Sequence, residues 1–332
     1  MLLFQPNYYE RFRCIASACP DSCCKEWEVQ VDEEAAARYR SLTGPLGDRL
    51  REVLREEDGE TLMTIIEGRC PMWRQDGLCR IQAELGEEAL CKTCREYPRL
   101  THDYGDFIEY GLELSCPEAA RFILDAEPAP LLQTRVEEEA AAEYDAEAMA
   151  VLKATRETVL DLLSDAARPV GETLALVLLY GCQAQSELDS GEVQPFSPEE
   201  ALLSARELAK TGDPLAVPEF FLELELLTEK WEQRLKNPTP GPWDRKILAM
   251  ARYLVQRYWL QAVSDYDLYS RVKLVVISCL LVKTLGGDLT ETAQLFSKEV
   301  ENDAGNVDAL LDAAYEHSAF TDDKLLYMLL SE

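Results

Sequence analysis

Cys14-Ile-Ala-Ser-Ala-Cys19-Pro-Asp-Ser-Cys23-Cys24 opens a stretch that holds nine of the eleven cysteines in this 332-residue chain. The remaining five cysteines of the stretch form a Cys-x8-Cys pair, a Cys-x2-Cys pair and a closing Ser-Cys-Pro, at Cys70, Cys79, Cys91, Cys94 and Cys116. Thiolates bind soft metals, and short loops let neighbouring sulfurs reach one ion or one cluster. The pattern therefore predicts that the N-terminal part of the chain is a metal-binding domain.

The kind of metal stays open between zinc and an iron–sulfur cluster such as [4Fe–4S]. The chain has only two histidines, so a Cys2His2 zinc site is nearly excluded. An all-thiolate site suits either structural zinc or an iron–sulfur cluster. The adjacent side chains of Cys23 and Cys24 are not expected to reach one ion without strain, so one should pack or serve a second site. Cys182 and Cys279 lie in apolar helical segments and are interpreted as small hydrophobic core residues.

Composition limits the function classes. Hydrophobic residues make up 47% of the chain, which argues against disorder. The formal net charge is −29 and both halves are acidic, so nucleic acid is a poor candidate partner. Acidic surface attracts basic side chains such as lysine, although most of these carboxylates are interpreted as ordinary solubilising charge.

A cytoplasmic location is expected. The segment at residues 1–13 has no long apolar core of a signal peptide. The most apolar run, Leu274 to Val282, is well short of the roughly 20 residues of a membrane span, so no membrane association is expected. Clustered cysteines in a reducing compartment more often bind metal than form disulfides.

The N-terminal part is predicted to contain short strands and short helices. Alternating side chains predict strands at residues 27–31 and 106–114, and the run at 61–66 also reads as a strand. Asp76-Gly77 predicts a hairpin turn between Cys70 and Cys79. Asp32 is a natural N-cap for a helix, a second helix is expected over 46–57, and Pro117 is well placed to begin a third that runs through Leu124.

The remainder reads as helical. The segment Glu127-Pro-Ala-Pro130 predicts a linker between a cysteine-rich metal- or cluster-binding domain at 1–126 and an α-helical domain at 134–332. The predicted fold is thus mainly α, with a cysteine-rich domain containing small β-hairpins packed on a C-terminal α-helical domain. Helices are predicted at 134–165, 171–188, 198–211, 217–236, 243–262, 267–285, 289–301, 305–317 and 320–331, and those containing Leu174–Tyr180 and Leu274–Val282 should be central because they are apolar on all faces.

These cysteine motifs resemble those of the flagellin lysine-N-methylases and of shorter cysteine-cluster proteins described as zinc- or iron-chelating. The resemblance spans residues 5–125 and is carried by the segments 12–27, 70–82, 91–99 and 114–120. It implies methylation of lysine ε-amines on flagellin, with S-adenosylmethionine as methyl donor and an iron–sulfur cluster. The helical remainder matches only in length and character.

Lysine methylation requires a neutral amine, whereas the unperturbed lysine pKa is about 10.4, so a site must desolvate the ammonium or offer a base. Polar residues close to the cysteines are candidates, and aromatic rings are candidates for holding a cation. Tyr97 and Asp32 also have plain structural interpretations, as part of a turn and as a helix cap. The candidate catalytic residues are Tyr97, Glu118 and Asp32, and the candidate cofactor-binding residues are Trp27, Tyr8 and Arg99.

The predicted function is a cytoplasmic protein-lysine N-methyltransferase that acts on flagellin or another lysine-bearing protein. No Gly-x-Gly-x-x-Gly follows a predicted strand, so the common nucleotide-type donor site is missing, and the Cys-x3-Cys-x2-Cys pattern of radical S-adenosylmethionine enzymes is missing too. A polar methyl transfer needs no radical. The alternative is a non-enzymatic zinc- or iron-binding module whose helical body binds a partner protein.

Overall fold

Helices account for most of the described chain, and the strands form two small sheets. The structure is a computed structural model and describes residues 1–57, 59–136 and 141–331. The strands are β1 (Leu2–Gln5), β2 (Val29–Gln30), β3 (Leu54–Glu57), β4 (Glu60–Met63), β5 (Arg99–Asp103), β6 (Phe107–Leu112) and β7 (Leu132–Arg135). The mainly α class is thereby confirmed.

The helices begin and end at the following residues. They are α1 (Glu33–Ser41), α2 (Pro45–Val53), α3 (Arg80–Leu85), α4 (Lys92–Glu96), α5 (Pro117–Leu124), α6 (Ala146–Ser164), α7 (Val170–Ser190), α8 (Pro198–Leu208), α9 (Ala216–Phe221), α10 (Glu229–Lys236), α11 (Arg245–Tyr258), α12 (Leu268–Leu285), α13 (Leu289–Phe296), α14 (Ala304–Glu316) and α15 (Asp322–Leu330). Within the described ranges, none of these helices is long and apolar enough to cross a membrane.

The chain divides into two compact units whose bounds differ from the predicted ranges 1–126 and 134–332. The cysteine-rich unit comprises Phe12–Leu100 and Cys116–Glu118, and the helical unit comprises Met1–Arg11, Thr101–Ser115 and Ala119–Glu332. The difference arises because β1 pairs in parallel with β6 and antiparallel with β7, in a sheet of order β5-β6-β1-β7. Backbone pairing therefore ties the first residues of the chain to the helical unit.

The cysteine-rich unit is built on a three-stranded antiparallel sheet of order β2-β4-β3, with short helices beside it. Its core contains Tyr39, Leu50 and Met72, and two of the predicted metal ligands, Cys70 and Cys91, are buried among such residues. The expected hairpin turn is confirmed: Gly77 has φ +81°, and the antiparallel bridge between Trp73 and Cys79 closes the turn. Residues 54–57 form β3, so the helix predicted over 46–57 is wrong in its last turn.

The helical unit is centred on α12, which is buried on all sides and packs against α7, α11 and α14. This confirms the prediction that the uniformly apolar helices are central, because a helix without a polar face is stable only when it is surrounded. Aspartate side chains cap several of these helices by accepting backbone N–H bonds, as Asp145, Asp267 and Asp288 do. Part of the acidic excess therefore stabilises helix N-termini.

Three predicted helices differ from the observed ones. The helix predicted over 134–165 begins later than expected, since α6 starts only at Ala146. Residues 132–135 form β7 because they pair with β1. Residues 137–140 of the predicted helix lie outside the described residues. The segment predicted as one helix over 217–236 is split into α9 and α10. The helix predicted over 289–301 changes into a π-helix at Ser297–Glu301.

Candidate metal centre

All nine N-terminal cysteines lie in the cysteine-rich unit, and each is a free thiol. Three are exposed, three are half-buried and three are buried; the buried ones are Cys70, Cys91 and Cys116. Every one of the nine interacts electrostatically or by a hydrogen bond with at least one other thiol of the set. The folding of this unit therefore brings together cysteines that are up to about a hundred positions apart in sequence.

The first group of thiols surrounds Cys24. The side chains of Cys23 and Cys70 both hydrogen-bond to Cys24, and these bonds lower the pKa of the Cys24 thiol to about 3. The same bonds raise the pKa values of Cys23 and Cys70, because those two thiols keep the protons that they share. A backbone hydrogen bond of 2.8 Å from the Cys70 amide to the Cys24 carbonyl holds the two segments together. The adjacent side chains of Cys23 and Cys24 thus contact each other, and the expectation that they do not share one ion stays a prediction.

The second group is the Cys-x2-Cys pair. Cys91 precedes α4, and its sulfur accepts hydrogen bonds from the side chain and the backbone amide of Cys94. These bonds lower the pKa of the Cys91 thiol, and the shared proton raises that of Cys94. Cys94 in turn interacts electrostatically with Cys23 and Cys24. The two groups are therefore near neighbours within one unit.

The remaining thiols extend this arrangement. Cys79 interacts with both Cys24 and Cys91, while Cys14 and Cys116 each raise the pKa of Cys23. Burial is the main cause of the raised pKa of Cys79. A free thiolate in such a cluster is held in place by shared protons, and a soft metal ion would replace those protons.

The chemistry of this donor set fits a thiolate-bound metal, and hydrogen bonds join its thiols in one group of three around Cys24 and in the Cys91–Cys94 pair. Across the part of the chain that the structure describes, no three Cys, His, Asp or Glu side chains are grouped as they would be around a metal ion. Thiols that share protons at hydrogen-bond distance are the expected protonated counterpart of a thiolate site. That some of the nine cysteines hold zinc or an iron–sulfur cluster therefore stays a prediction.

Helix α1 fixes the segment that carries the Cys-x2-Cys pair. The carboxylate of Asp32 accepts one hydrogen bond from the Ala35 amide at 2.9 Å and another from the Lys92 amide at 2.7 Å. The Tyr39 hydroxyl donates to the Ala89 carbonyl at 2.7 Å. Asp32 is thus confirmed as a helix cap, and the same side chain also binds the first turn of α4. Both of its carboxylate oxygens are occupied by backbone donors, which lower its pKa.

The other predicted site residues of the cysteine-rich unit lie close to thiols in the sequence. The Trp27 indole donates to the Cys23 carbonyl at 2.9 Å, and its ring lies 6.3 Å from that of Tyr97. The guanidinium of Arg99 lies 5.6 Å from the ring centre of Phe12, and Glu118 is in the first turn of α5. Their catalytic and cofactor-binding roles stay predictions.

Tyr8 belongs to the helical unit, unlike the other predicted site residues. Its buried ring lines a cleft of about 40 Å³ together with Glu127, Arg252 and Gln256. Asn7 and Tyr253 add further polar groups to its lining, and Ile123 is one of its apolar residues. Burial raises the pKa of the Tyr8 hydroxyl. The cleft thus combines two tyrosines, one cation and one anion within a small recess of mixed polarity.

A second polar group in the helical unit is invisible in the sequence. The buried carboxylate of Glu301 accepts hydrogen bonds from the hydroxyls of Tyr253, at 3.2 and 3.3 Å, and of Tyr258, at 3.0 Å, and lies 3.4 Å from the Arg257 guanidinium. Glu301 ends the π-helix, a rare local geometry that often occurs at functional sites. The sequence shows only that Glu301 is a charged residue in a helical segment that packs into the core. The pattern of hydrophobic residues does not predict which side chains would hydrogen-bond to it.

The cysteine-rich unit thus gathers nine interacting thiols in one compact part of the chain. Three known proteins resemble the chain. It is 33% identical over 128 residues to a lysine-N-methylase of Salmonella typhimurium and 32% identical over 128 residues to one of Salmonella choleraesuis; each match covers 36% of this chain and 32% of the relative. The flagellar biosynthetic protein FliU of Salmonella muenchen is 32% identical over 128 residues, which cover 36% of this chain and 76% of FliU.

The chain belongs to the family of the lysine-N-methylases and FliU. It spans about a third of the length of the two lysine-N-methylases that it matches. No protein-family model matches the chain, and no solved structure matches it.

Proposed function

We propose that this protein is a protein-lysine N-methyltransferase that uses S-adenosylmethionine, acts on flagellin or a similar lysine-bearing protein, and carries a thiolate-bound metal centre. The observation that carries the proposal is its membership of a family in which two relatives are named lysine-N-methylase and a third is named for flagellar biosynthesis. The cytoplasm, where S-adenosylmethionine is made, is the expected compartment.

The reaction is a displacement at the methyl carbon. The lone pair of the neutral lysine amine attacks the methyl group, the carbon–sulfur bond breaks, and its electrons remain on sulfur as S-adenosylhomocysteine. The methylated nitrogen then releases a proton to a base or to water. Because the lysine ammonium has an ordinary pKa near 10.4, the protein must also remove one proton before the attack, and Tyr97 and Glu118 remain the candidates for that step.

Asp32 is a weaker candidate base than the other two. A base needs an oxygen that is free to accept a proton, and both oxygens of this carboxylate accept backbone N–H bonds. These bonds stabilise the charged form and lower its pKa, which makes it a poorer proton acceptor. We therefore propose that Asp32 positions the Cys-x2-Cys segment.

The metal centre is proposed to hold the thiol-bearing segments of the cysteine-rich unit together. When bound, zinc or an iron–sulfur cluster would add several strong bonds between segments that the small core and a few hydrogen bonds already join. This assignment gives the nine cysteines a structural role and leaves the polar transfer step to other groups.

The test is methyl transfer to purified flagellin with S-adenosylmethionine labelled in the methyl group, using protein purified without oxygen and analysed for iron, zinc and sulfide. The expected result is label on lysine side chains, located by mass spectrometry as additions of methyl mass. Flagellin whose lysines have been acetylated is the matched control and should take up no label. Metal-loaded protein that labels neither flagellin nor any other lysine-bearing protein would overturn the proposal.

A second candidate is a non-enzymatic metal-binding module that binds a flagellar protein. The relative that the chain covers most fully, FliU, is named for flagellar biosynthesis and not for an enzymatic activity. This candidate predicts tight binding of flagellin with no methyl transfer, so co-sedimentation in the same assay separates it from the enzyme.

A further inference from the structure

Arg252 of the cleft beside Tyr8 carries a positive charge without a matching carboxylate. Its guanidinium is half-buried and donates hydrogen bonds to the backbone carbonyls of Leu163, at 3.2 Å, and Ala126, at 3.0 Å. Within the described residues, no carboxylate lies at ion-pair distance from it, and burial lowers its pKa. A guanidinium has five N–H donors, so this one keeps donors for a further acceptor.

Burying a charge that has no ion-pair partner costs free energy, and an anionic group bound in the recess would offset that cost. Tyr8 supports this interpretation, because its hydroxyl makes no hydrogen bond to any described residue although its ring is buried. Arg252 and Tyr8 interact electrostatically and line the same cleft. Together they offer hydrogen-bond donors to an anionic group such as a carboxylate.

The cleft also contains a negative charge. Glu127 lines it, and its carboxylate interacts electrostatically with Arg252 without forming an ion pair. A recess that holds one separated cation and one separated anion is complementary to a ligand with both charges. The volume of about 40 Å³ has room for a small head group, and the side chains of Ile123 and Ala249 provide apolar contact for methylene groups.

We propose that this cleft binds the α-amino-acid head group of S-adenosylmethionine, with the carboxylate on Arg252 and Tyr8 and the ammonium on Glu127. The choice of ligand rests on the proposed function, which requires this donor, while the charge pattern itself is a property of the cleft. This cleft would place the methyl donor in the helical unit, whose sequence contains no nucleotide-binding glycine motif.

The test measures dissociation constants by calorimetry for S-adenosylmethionine and for its decarboxylated form, which keeps the amine and lacks the carboxylate. The native protein should prefer S-adenosylmethionine by about tenfold or more, as expected for a charge-assisted hydrogen bond. Arg252→Gln should remove this preference, and Glu127→Gln should weaken both ligands by a similar factor. Arg245→Gln is the matched control, since Arg245 also donates to a backbone carbonyl, that of Ala166, and does not line the cleft.

Three outcomes would overturn the inference. If Arg252→Gln keeps the full preference, or if removal of metal abolishes donor binding while both cleft variants bind normally, the head group binds elsewhere. The cleft assignment then fails, while S-adenosylmethionine stays the methyl donor of the proposed function. If the native protein binds no S-adenosylmethionine, the proposed function fails together with the cleft assignment. Arg252→Lys guards against misfolding, because it keeps the charge and should retain part of the preference for the carboxylate.

Discussion

Asp32 offers a direct measure of how α1 supports the Cys-x2-Cys segment. Replacing it by alanine removes the cap of α1, worth about 1 kcal/mol, and the second bond to the Lys92 amide. A hydrogen bond to a charged group contributes about 1.5–3 kcal/mol, and the partial exposure of Asp32 places this one at the lower end or below. We therefore expect Asp32→Ala to lower the free energy of unfolding of the cysteine-rich unit by about 2 kcal/mol.

Asp288 provides the matched control because its carboxylate caps α13 through one bond, to the Glu291 amide at 2.9 Å. Asp288→Ala should cost only the cap, about 1 kcal/mol. Asparagine has only one acceptor oxygen, so Asp32→Asn should lower the free energy of unfolding by about half as much as Asp32→Ala does. Hydrogen exchange followed by mass spectrometry measures the loss of stability in each variant. The Lys92 amide should lose protection from exchange only in the Asp32 variants. If Asp32→Ala costs no more than Asp288→Ala, the bond to Lys92 contributes nothing and α1 does not hold the segment.

The buried pair of Glu109 and Arg156 forms two hydrogen bonds of 2.6 and 2.7 Å, and Arg156→Met should destabilise the protein by about 3 kcal/mol in chemical unfolding because a buried carboxylate loses its partner. The pKa of His102 is lowered, first by burial and then by the Arg257 guanidinium, so the unfolded chain binds a proton below pH 6.5 that the folded protein refuses. Stability should therefore fall as the pH drops below 6.5, and His102→Gln should flatten that slope in thermal unfolding measured from pH 7 to 5. Cys94→Ser should lower the metal content of anaerobically purified protein, as measured by elemental analysis.

Each of these predictions can fail clearly. Arg206→Met, which breaks an ion pair with Glu172 in which the arginine side chain is 60% exposed, should cost less than 1 kcal/mol, and a similar cost for Arg156→Met would mean that burial does not strengthen the Glu109 pair. An unchanged pH slope in the His102 variant would place the acid sensitivity on other groups. Cys182→Ser should keep the metal content of the native protein, and full metal in Cys94→Ser would remove that residue from the ligand set.

Local signals in the sequence predicted the elements that depend on local chemistry. Asp32 begins a helix, Pro117 begins another that ends at Leu124, and Gly77 forms its turn, because capping, fixed φ and left-handed φ are properties of one or two residues. The extended segment at 132–135 was not predicted, since its strand exists only through pairing with residues 2–5. Its own residues alone favour no strand.

The candidate sites likewise combine features that the sequence predicts with features that only the tertiary structure shows. The crowding of nine cysteines between positions 14 and 116 predicted that they gather in one unit. The hydrogen bonds that join Cys24 to Cys70, and the bond from Lys92 to Asp32, depend on tertiary structure and leave no trace in spacing. The same is true of the unpaired guanidinium of Arg252, since a positive residue on a helix is usually solvated, and only the fold shows which one lies in a recess.

The pairing of β1 with β6 and β7 has a consequence for the order in which the chain is made. Residues 2–5 are synthesised before their partners at 107–109 and 132–135, which follow more than a hundred residues later. All nine N-terminal cysteines, the last at position 116, have been translated before β7. The order of synthesis thus favours folding of the cysteine-rich unit before β1 can pair with β7. The supply of metal during translation should therefore be controlled when the protein is expressed in another host.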